Sequence, residues 1–389
     1  MTTKKGVWNL QQTRDKQLQD LWGYAADGDP RQLWAFGKNN EHGNLGQNNK
    51  VDYSSPVQIA GTTWAMFGNG TDSQNPLVIK SDGTAWAWGN GDKGQLSQNN
   101  TVQYSSPVQI PGTTWKASGT GTKYNLISKT DGTLWAVGEN SSGQLGQNTT
   151  VKYSSPVQVG SDTTWGTTRE TLSSSGTASA TIKTDGTLWL WGNNQSGALG
   201  LNNNVVYSSP IQITGGSTTW SKLSIAGGGK FSAIKTDGTL WAWGYNSEGN
   251  LGQNNRTDQS SPIQVGSSTD WKQSSTNNTQ MGAIKTDGTL WVWGDNEYGL
   301  LGQNDIINRS SPVQIPGTTW KFMVMRTSHM LAVKTDGTAW AWGRNSRGQL
   351  GQNTEGNPAS HSSPVQIPGT DWHTIAISNE GGNLLLKDN

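Results

Sequence analysis

Six aspartates stand at matching places along the chain: Asp82, Asp131, Asp185, Asp237, Asp287 and Asp336. A row of carboxylates could bind cations or share acid–base work. Each is followed by glycine, and Asp-Gly between apolar runs is the strongest short hairpin signal. A type I′ turn is expected there, with both central residues at positive φ. Seven lysines recur at another fixed place: Lys80, Lys129, Lys183, Lys235, Lys285, Lys334 and Lys387. They could form a basic ring, but a lysine ending a strand and facing water or the next unit explains them without one. The four histidines, His42, His329, His361 and His373, fall in different units or loops, and no pair has metal-ligand spacing. Asp27 and Asp29 lie close together in AADGDP without the further oxygen ligands calcium needs. No nucleophile elbow, phosphate loop or Walker pattern occurs. No catalytic residue, metal or cofactor is expected.

The elements that carry these residues repeat. The glycine ending a WAWG-type run falls at Gly37, Gly89, Gly138, Gly192, Gly244, Gly294 and Gly343. The proline of SSPVQI-like segments falls at Pro56, Pro107, Pro156, Pro210, Pro262, Pro312 and Pro364. The tryptophan of TTW or DW falls at Trp64, Trp115, Trp165, Trp220, Trp271, Trp320 and Trp372. Three markers thus count seven units. Each unit reads as four strands: A after the TTW tryptophan, B ending in the lysine, C as LWAWG, and D as PVQI starting after the proline. In C, Trp241 and Trp243 share one face while Leu240 and Ala242 share the other, so both faces are covered. The fixed tryptophans read as packing between units, each burying roughly 150–250 Å². Seven four-stranded units imply an all-β, seven-bladed propeller. The ends are complementary: residues 31–37 begin at strand C, and the final LLLKDN ends at strand B. One blade is therefore expected to combine both termini and close the ring, removing free edges.

The pattern DGTLWAWGxNxxGQLGQN, followed by SPVQI and TTW, resembles the regulator-of-chromosome-condensation repeat family, from about Gln32 to the C-terminus. The resemblance implies a seven-bladed propeller. Gly43-Asn44-Leu45-Gly46, Gly143-Gln144-Leu145-Gly146 and Gly348-Gln349-Leu350-Gly351 carry the spacing. Ser97 replaces the second glycine of one unit, Leu201 replaces a recurrent Gln, and the family's usual His before strand B occurs only as His329.

Composition narrows the function classes. The chain has 389 residues, with Lys plus Arg 28 against Asp plus Glu 27. That near-neutral balance argues against nucleic acid or an anionic membrane as partner. Charged residues are 14%, so Ser, Thr, Asn, Gln and Gly must build the surface. With no Cys there is no disulfide or thiolate chemistry. The N-terminal residues lack the apolar core of a signal peptide, and no run is long enough to suggest a membrane helix.

Recognition requires differences between copies. The B–C and D–A connections are nearly uniform, whereas the A–B segments share little. Asp72, Tyr124, Glu170, Phe231, Asn278 and His329 in those segments are candidate binding-loop residues. The C–D loops vary at Glu41-His42, Asp92-Lys93, Glu297-Tyr298 and Ser346-Arg347, and again from Glu355 to His361. From them Glu297, Tyr298, Arg347, Glu355 and His361 are candidates. A–B and C–D loops share one face of an antiparallel blade, so that face is expected to bind and the other to be generic.

Residues 1–30 lie outside the repeat; residues 31–389 form the propeller domain. Trp8, Leu10, Leu18, Leu21 and Trp22 have roughly helical spacing, so a helix is expected over 10–22. It would either pack on its own propeller or serve as an anchor. VWNLQQTRDKQLQDLW is similar to the opening segment of virion structural proteins of tailed marine phages. That likeness implies a non-enzymatic virion protein, tail- or capsid-associated, made in the host cytoplasm without a signal peptide. Residues 1–30 would hold it to other virion proteins, and its loops would meet a host-surface glycan or protein. A second reading, implied by the repeat family, is a propeller of the guanine-nucleotide-exchange or chromatin-binding type. Unit spacings of 49 to 54 leave no room there for a large wedge insertion. A third is a glycan-processing enzyme using acids on the variable face, such as Asp72, Glu170 and Glu380.

Overall fold

The computed structural model describes residues 29–39, 41–71, 74–213, 215–226, 229–326, 328–354, 360–377 and 382–389. The expected helix over 10–22, with Trp8, Leu10, Leu18, Leu21 and Trp22, lies outside them, as do Asp72, Glu355 and Glu380.

Among the described residues, seven antiparallel blades of four strands follow one another around a ring, and the short strand Gly70–Thr71 adds in parallel to the inner strand of blade 3. Blade 4 shows the pattern: A is Trp220–Ala226, B is Lys230–Lys235, C is Leu240–Gly244 and D is Gln259–Gln264. Numbering starts from the blade after Trp64. Blade 7 is built from both ends of the described chain. Gly382–Asp388 pairs antiparallel with Arg31–Gly37, joining Leu386 to Leu33 and Gly382 to Gly37. Strand D of that blade then runs without a break into strand A of blade 1, as the single strand Tyr53–Phe67. The buried apolar side chains form seven clusters rather than one core, each bridging neighbouring blades, one of them joining blades 7 and 1.

Three repeated features of the sequence find their cause inside the blade. The lysine ending strand B does not face water or the next blade. In blade 4, Lys235 Nζ lies 4.8 Å from the Trp220 ring centroid and 4.2 Å from that of Trp241. Lys80, Lys129, Lys183 and Lys334 sit in the same way between their own tryptophan pairs. A cation held over indole is worth about 0.5–2 kcal/mol, depending on desolvation. The Asp-Gly hairpin is also corrected. Lys235 N donates to Thr239 O at 3.0 Å and Gly238 N to Lys235 O at 2.9 Å, while only Gly238 has positive φ, at +77°. This is a type I turn closed by a left-handed glycine, one residue longer than a type I′ loop. Asp237 caps it by accepting from the Thr239 hydroxyl (2.7 Å) and amide (3.0 Å), which holds its carboxyl below the usual range. Finally, strand D does not begin after its proline. It begins at residues such as Tyr104 or Gln259, and the register shifts across the proline. An outer strand with a bulge tolerates the missing amide.

The blades are joined by a second set of repeats. An asparagine just past the GQLG segment adopts φ of 54–59° at Asn48, Asn99, Asn148, Asn202, Asn254, Asn304 and Asn353. Each donates its amide to a serine carbonyl on strand D of the next blade, at 2.7–2.9 Å. The first glycine of each GQLG segment packs against the same serine. A Cβ on Gly249 would fall 2.5 Å from the Ser310 Cβ. The second tryptophan of WAW reaches back across the junction: Trp243 Nε1 donates to Ala198 O at 3.0 Å and Trp342 Nε1 to Leu300 O at 2.7 Å.

Gly249→Ala and Gly266→Ala separate backbone strain from junction packing. Both glycines have positive φ, but nothing lies within 4 Å of a Cβ at Gly266. Gly266→Ala should cost about 1 kcal/mol and Gly249→Ala about 2–4 kcal/mol in denaturant unfolding. Equal losses would remove the junction from the account.

Candidate interaction face

The C–D loops are held from below by one buried asparagine each. Asn246 Oδ1 accepts from Leu251 N at 2.8 Å, and its Nδ2 donates to Asn255 O at 3.2 Å and Thr257 O at 3.0 Å. Asn39, Asn140, Asn194, Asn296 and Asn345 do the same at their own positions. The clamp pins both ends of the loop and drives the following leucine into the junction, where Leu45, Leu145, Leu199, Leu251, Leu301 and Leu350 are fully buried. Blade 1 departs from this pattern. Asn90 Nδ2 donates instead to Gln74 Oε1, and Ser97 takes the left-handed glycine position at φ 64°. The asparagine in WGxN was visible in sequence at constant spacing, but its role was missed.

Above the clamp sit the variable pairs. Glu41 is exposed and pairs with Lys38 at 2.7 Å. Asp92 meets Lys123 at 2.8 Å, and Lys93 reaches Glu139 of the next blade at 3.9 Å. Glu297 and Arg347 are exposed, and the half-buried Tyr298 lies under the Arg344 guanidinium of the next blade at 5.4 Å. His361 is half-buried at the start of a strand D, paired with Gly343. Tyr245 adds an exposed ring just past strand C of blade 4.

The A–B candidates fare differently. Tyr124 and His329 open their B strands opposite the glycine that ends strand C, Phe231 lies one residue further in, and all three are buried. Their identities vary because each meets a different neighbour. The Tyr124 hydroxyl donates to Ala178 O at 2.5 Å in the next blade. Phe231 stacks on Trp243 at 5.6 Å between ring centroids. His329 Nε2 and Asn383 Oδ1 are 2.8 Å apart, again across a junction. The backbone carbonyl of Asn278 accepts from the buried ammonium of Lys230 in the preceding blade. Divergence at these sites is buried packing, across a junction for Tyr124 and His329 and on a tryptophan of its own blade for Phe231, not an exposed binding surface.

Glu170 is not in an A–B loop at all. The first bridge of blade 3 joins Trp165 to Lys183, and the next pairing is Leu172 with Thr181. Trp165 and Gly192 are 27 residues apart, against 23 for Trp271 and Gly294. The extra residues, 167–170, turn into the central channel. Arg169 donates to Thr374 Oγ1 at 3.0 Å and Ile375 O at 3.2 Å in blade 7, and stacks on Phe322 of blade 6 at 4.5 Å. Its own carbonyl accepts from Asn69 of blade 1 at 3.0 Å. Glu170 faces Lys222 of blade 4 at 3.5 Å, and its carbonyl accepts from Leu223 N. The longer unit was countable in the sequence, but its destination was not. Among the described residues, no three His, Cys, Asp or Glu side chains gather as a metal site.

A sequence model of the regulator of chromosome condensation (RCC1) repeat matches residues 82–120, 131–166, 185–234, 237–276, 287–326 and 336–378. The chain belongs to this family. Its relatives diverge widely. The Ultraviolet-B receptor UVR8 of Arabidopsis thaliana is 34% identical over 84 residues, 22% of this chain and 19% of that protein. The match thus spans about a fifth of that curated relative's length. Human WBSCR16 superposes with a TM-score of 0.78 at 18% identity, covering 92% of this chain and 99% of that one. Prp20p from Saccharomyces cerevisiae superposes at 0.78 with 16% identity, covering 95% and 94%. These likenesses place the fold.

Burial pushes the His329 imidazole down to about 4, against a smaller opposing effect of the Asn383 hydrogen bond, with Arg326 adding to the depression. The ring is neutral when folded and takes up a proton when unfolded below about pH 6.5. Its contribution is therefore complete above pH 6.5 and is lost as pH falls toward 4, by up to about 3 kcal/mol. Thermal unfolding between pH 7 and 4 should show this loss, and His329→Gln should lessen it, leaving the part that the buried His373 contributes. A variant with the unchanged slope would refute the assignment.

Proposed function

We propose that the chain is a non-catalytic interaction propeller that meets its partner through the C–D loop apices. The carrying observation is the clamped loop. A buried asparagine and the next blade fix its base, so Glu41, Tyr245, Glu297-Tyr298 and Arg347 can differ without loosening the ring. Aromatic and arginine side chains on a rigid base suit a protein or glycan partner. The yeast Prp20p structure is described with binding to Gsp1p and histones, which supports a binding role for such rings.

The finer reading is a virion component of a tailed phage, held by residues 1–30 and presenting the loop face outward. Two things support it: the likeness of the N-terminal segment to phage virion proteins, and the place where the described chain enters the ring. Asp29 and Pro30 lead into the start of strand C of blade 7, and Pro30 O accepts from Asn389 beside Thr62. That is the end of the blade carrying the B–C and D–A connections, opposite the variable loops. An anchor there leaves the loop face open, and many copies on one particle would strengthen weak contacts by avidity.

Mass spectrometry of purified particles should find the chain. Deleting residues 1–28 should leave a folded ring that no longer assembles. Replacing Tyr298 and Arg347 together by Ala should leave assembly intact and lower adsorption to host cells by about tenfold or more. Absence from particles would overturn the virion reading. Unchanged adsorption would overturn the assignment of the face.

A further inference from the structure

The central channel holds a cavity of about 160 Å³ near the end that carries the D–A connections. Its wall is partly apolar, from Met66, Phe67, Phe322 and Met323. Most polar side chains in the wall are committed. Gln273 exchanges two hydrogen bonds with the Met323 backbone, at 2.7 and 3.1 Å. Asn69 donates to Arg169 O and Leu223 O, Thr374 accepts from Arg169, and Glu170 faces Lys222.

His373 is the exception. It is 7% exposed and lines the cavity, and neither ring nitrogen has a hydrogen-bond partner. A buried polar group left unpaired costs about 1–3 kcal/mol and calls for a partner. Its surroundings are cationic. After burial, the nearby charges of Arg31 and Lys321 do most to hold the ring in its neutral form, with Arg169 adding to them. Lys321 is itself depressed by burial and disfavoured by Arg31 and Lys272. The carboxylate in this group, Asp388, is bonded to Arg31 at 2.9 Å. An anion in the cavity would meet an imidazole donor in a wall that also carries Arg169 and Lys222, with Arg31 and Lys321 close enough to act on the same ring, in a setting that screens little.

We propose that this cavity binds a small carboxylate with an apolar body. The carboxylate would accept from the His373 ring beside Lys321, and the body would lie against Met66, Phe67, Phe322 and Met323. A neutral molecule of the same shape would gain the apolar contact without the ionic one. The site lies away from the C–D apices and does not depend on the partner proposed for them.

Acetate, hexanoate and benzoate, each with its neutral amide, can be titrated into the full chain by calorimetry. At least one carboxylate should bind with Kd below about 1 mM, and its amide about tenfold or more weaker. The Met66 and Met323 methyl resonances should shift on binding. His373→Phe and Lys321→Gln should each weaken the carboxylate about tenfold and leave the amide unchanged. Lys321 follows Trp320 on strand A of blade 6, the place that His373 holds after Trp372 on strand A of blade 7, so Lys321→Gln decides the matter if His373→Phe does not fold. No carboxylate binding, equal affinity for acid and amide, or no loss in Lys321→Gln would overturn the proposal.

Discussion

Every blade is held to the next by a backbone amide presented from a left-handed asparagine. Seven such bonds run from the residues after GQLG to the SSP serines, the last from Asn353 to Ser54. The constraint explains residue types that otherwise look unrelated. Asparagine is the side chain that best tolerates positive φ, so it stands where the amide must point outward. Glycine stands one loop turn earlier because any Cβ there would enter the serine backbone of the neighbour. The serine is small and polar on an outer strand. The indole of the second WAW tryptophan then bonds to the same loop from below. A linear array would leave one such amide and one such serine unmatched at its ends. The ring leaves neither, and the pairing of residues 31–37 with 382–388 supplies the blade on which the last bond closes.

Much of this was legible in the sequence because each repeated residue has the same task in every blade. The count of seven, the strand order and the closing blade follow from Gly, Pro and Trp positions alone. Two local details did not. A type I′ turn and a type I turn with a left-handed glycine share the Asp-Gly signature, and only the Lys-to-Thr pairing tells them apart. The lysine was also misplaced, because a cation at a strand end looks solvent-facing until two indoles are known to flank it.

The candidate site was less legible, for a physical reason. Difference between copies was taken as a sign of recognition, and for Glu297, Tyr298 and Arg347 the structure puts that difference on an accessible edge. For Tyr124, Phe231 and His329 it arises from asymmetry inside the ring. Tyr124 reaches a backbone carbonyl, His329 reaches an asparagine, and Lys230 at the same strand position reaches a different carbonyl. Each junction can be filled by any set that satisfies its own polar atoms, so these positions drift in pairs. Sequence comparison within one chain cannot separate a residue that varies to fit its neighbour from one that varies to fit a ligand. Burial separates them at once.

The same reasoning bears on the channel. A ring of identical blades would give a symmetric channel lined by seven copies of one residue. Residues 167–170 break that symmetry by leaving blade 3 and bonding to blades 1, 4, 6 and 7. They tie inner strands together alongside the short parallel pairing of Gly70–Thr71 in blade 1 with Ser174 and Ser175 in blade 3. They also occupy part of the channel, so that Thr168, Arg169 and Glu170 form one wall of the cavity that remains. Once divided, the space has distinct walls, apolar from blades 1 and 6 and cationic around His373. Distinct walls are what a selective small-molecule site requires and what a symmetric bore cannot provide. The outer face and the channel therefore depart from sevenfold symmetry by opposite routes: the loops vary on a fixed base, whereas the channel is divided because segments of blades 1 and 3 leave the pattern of the rest.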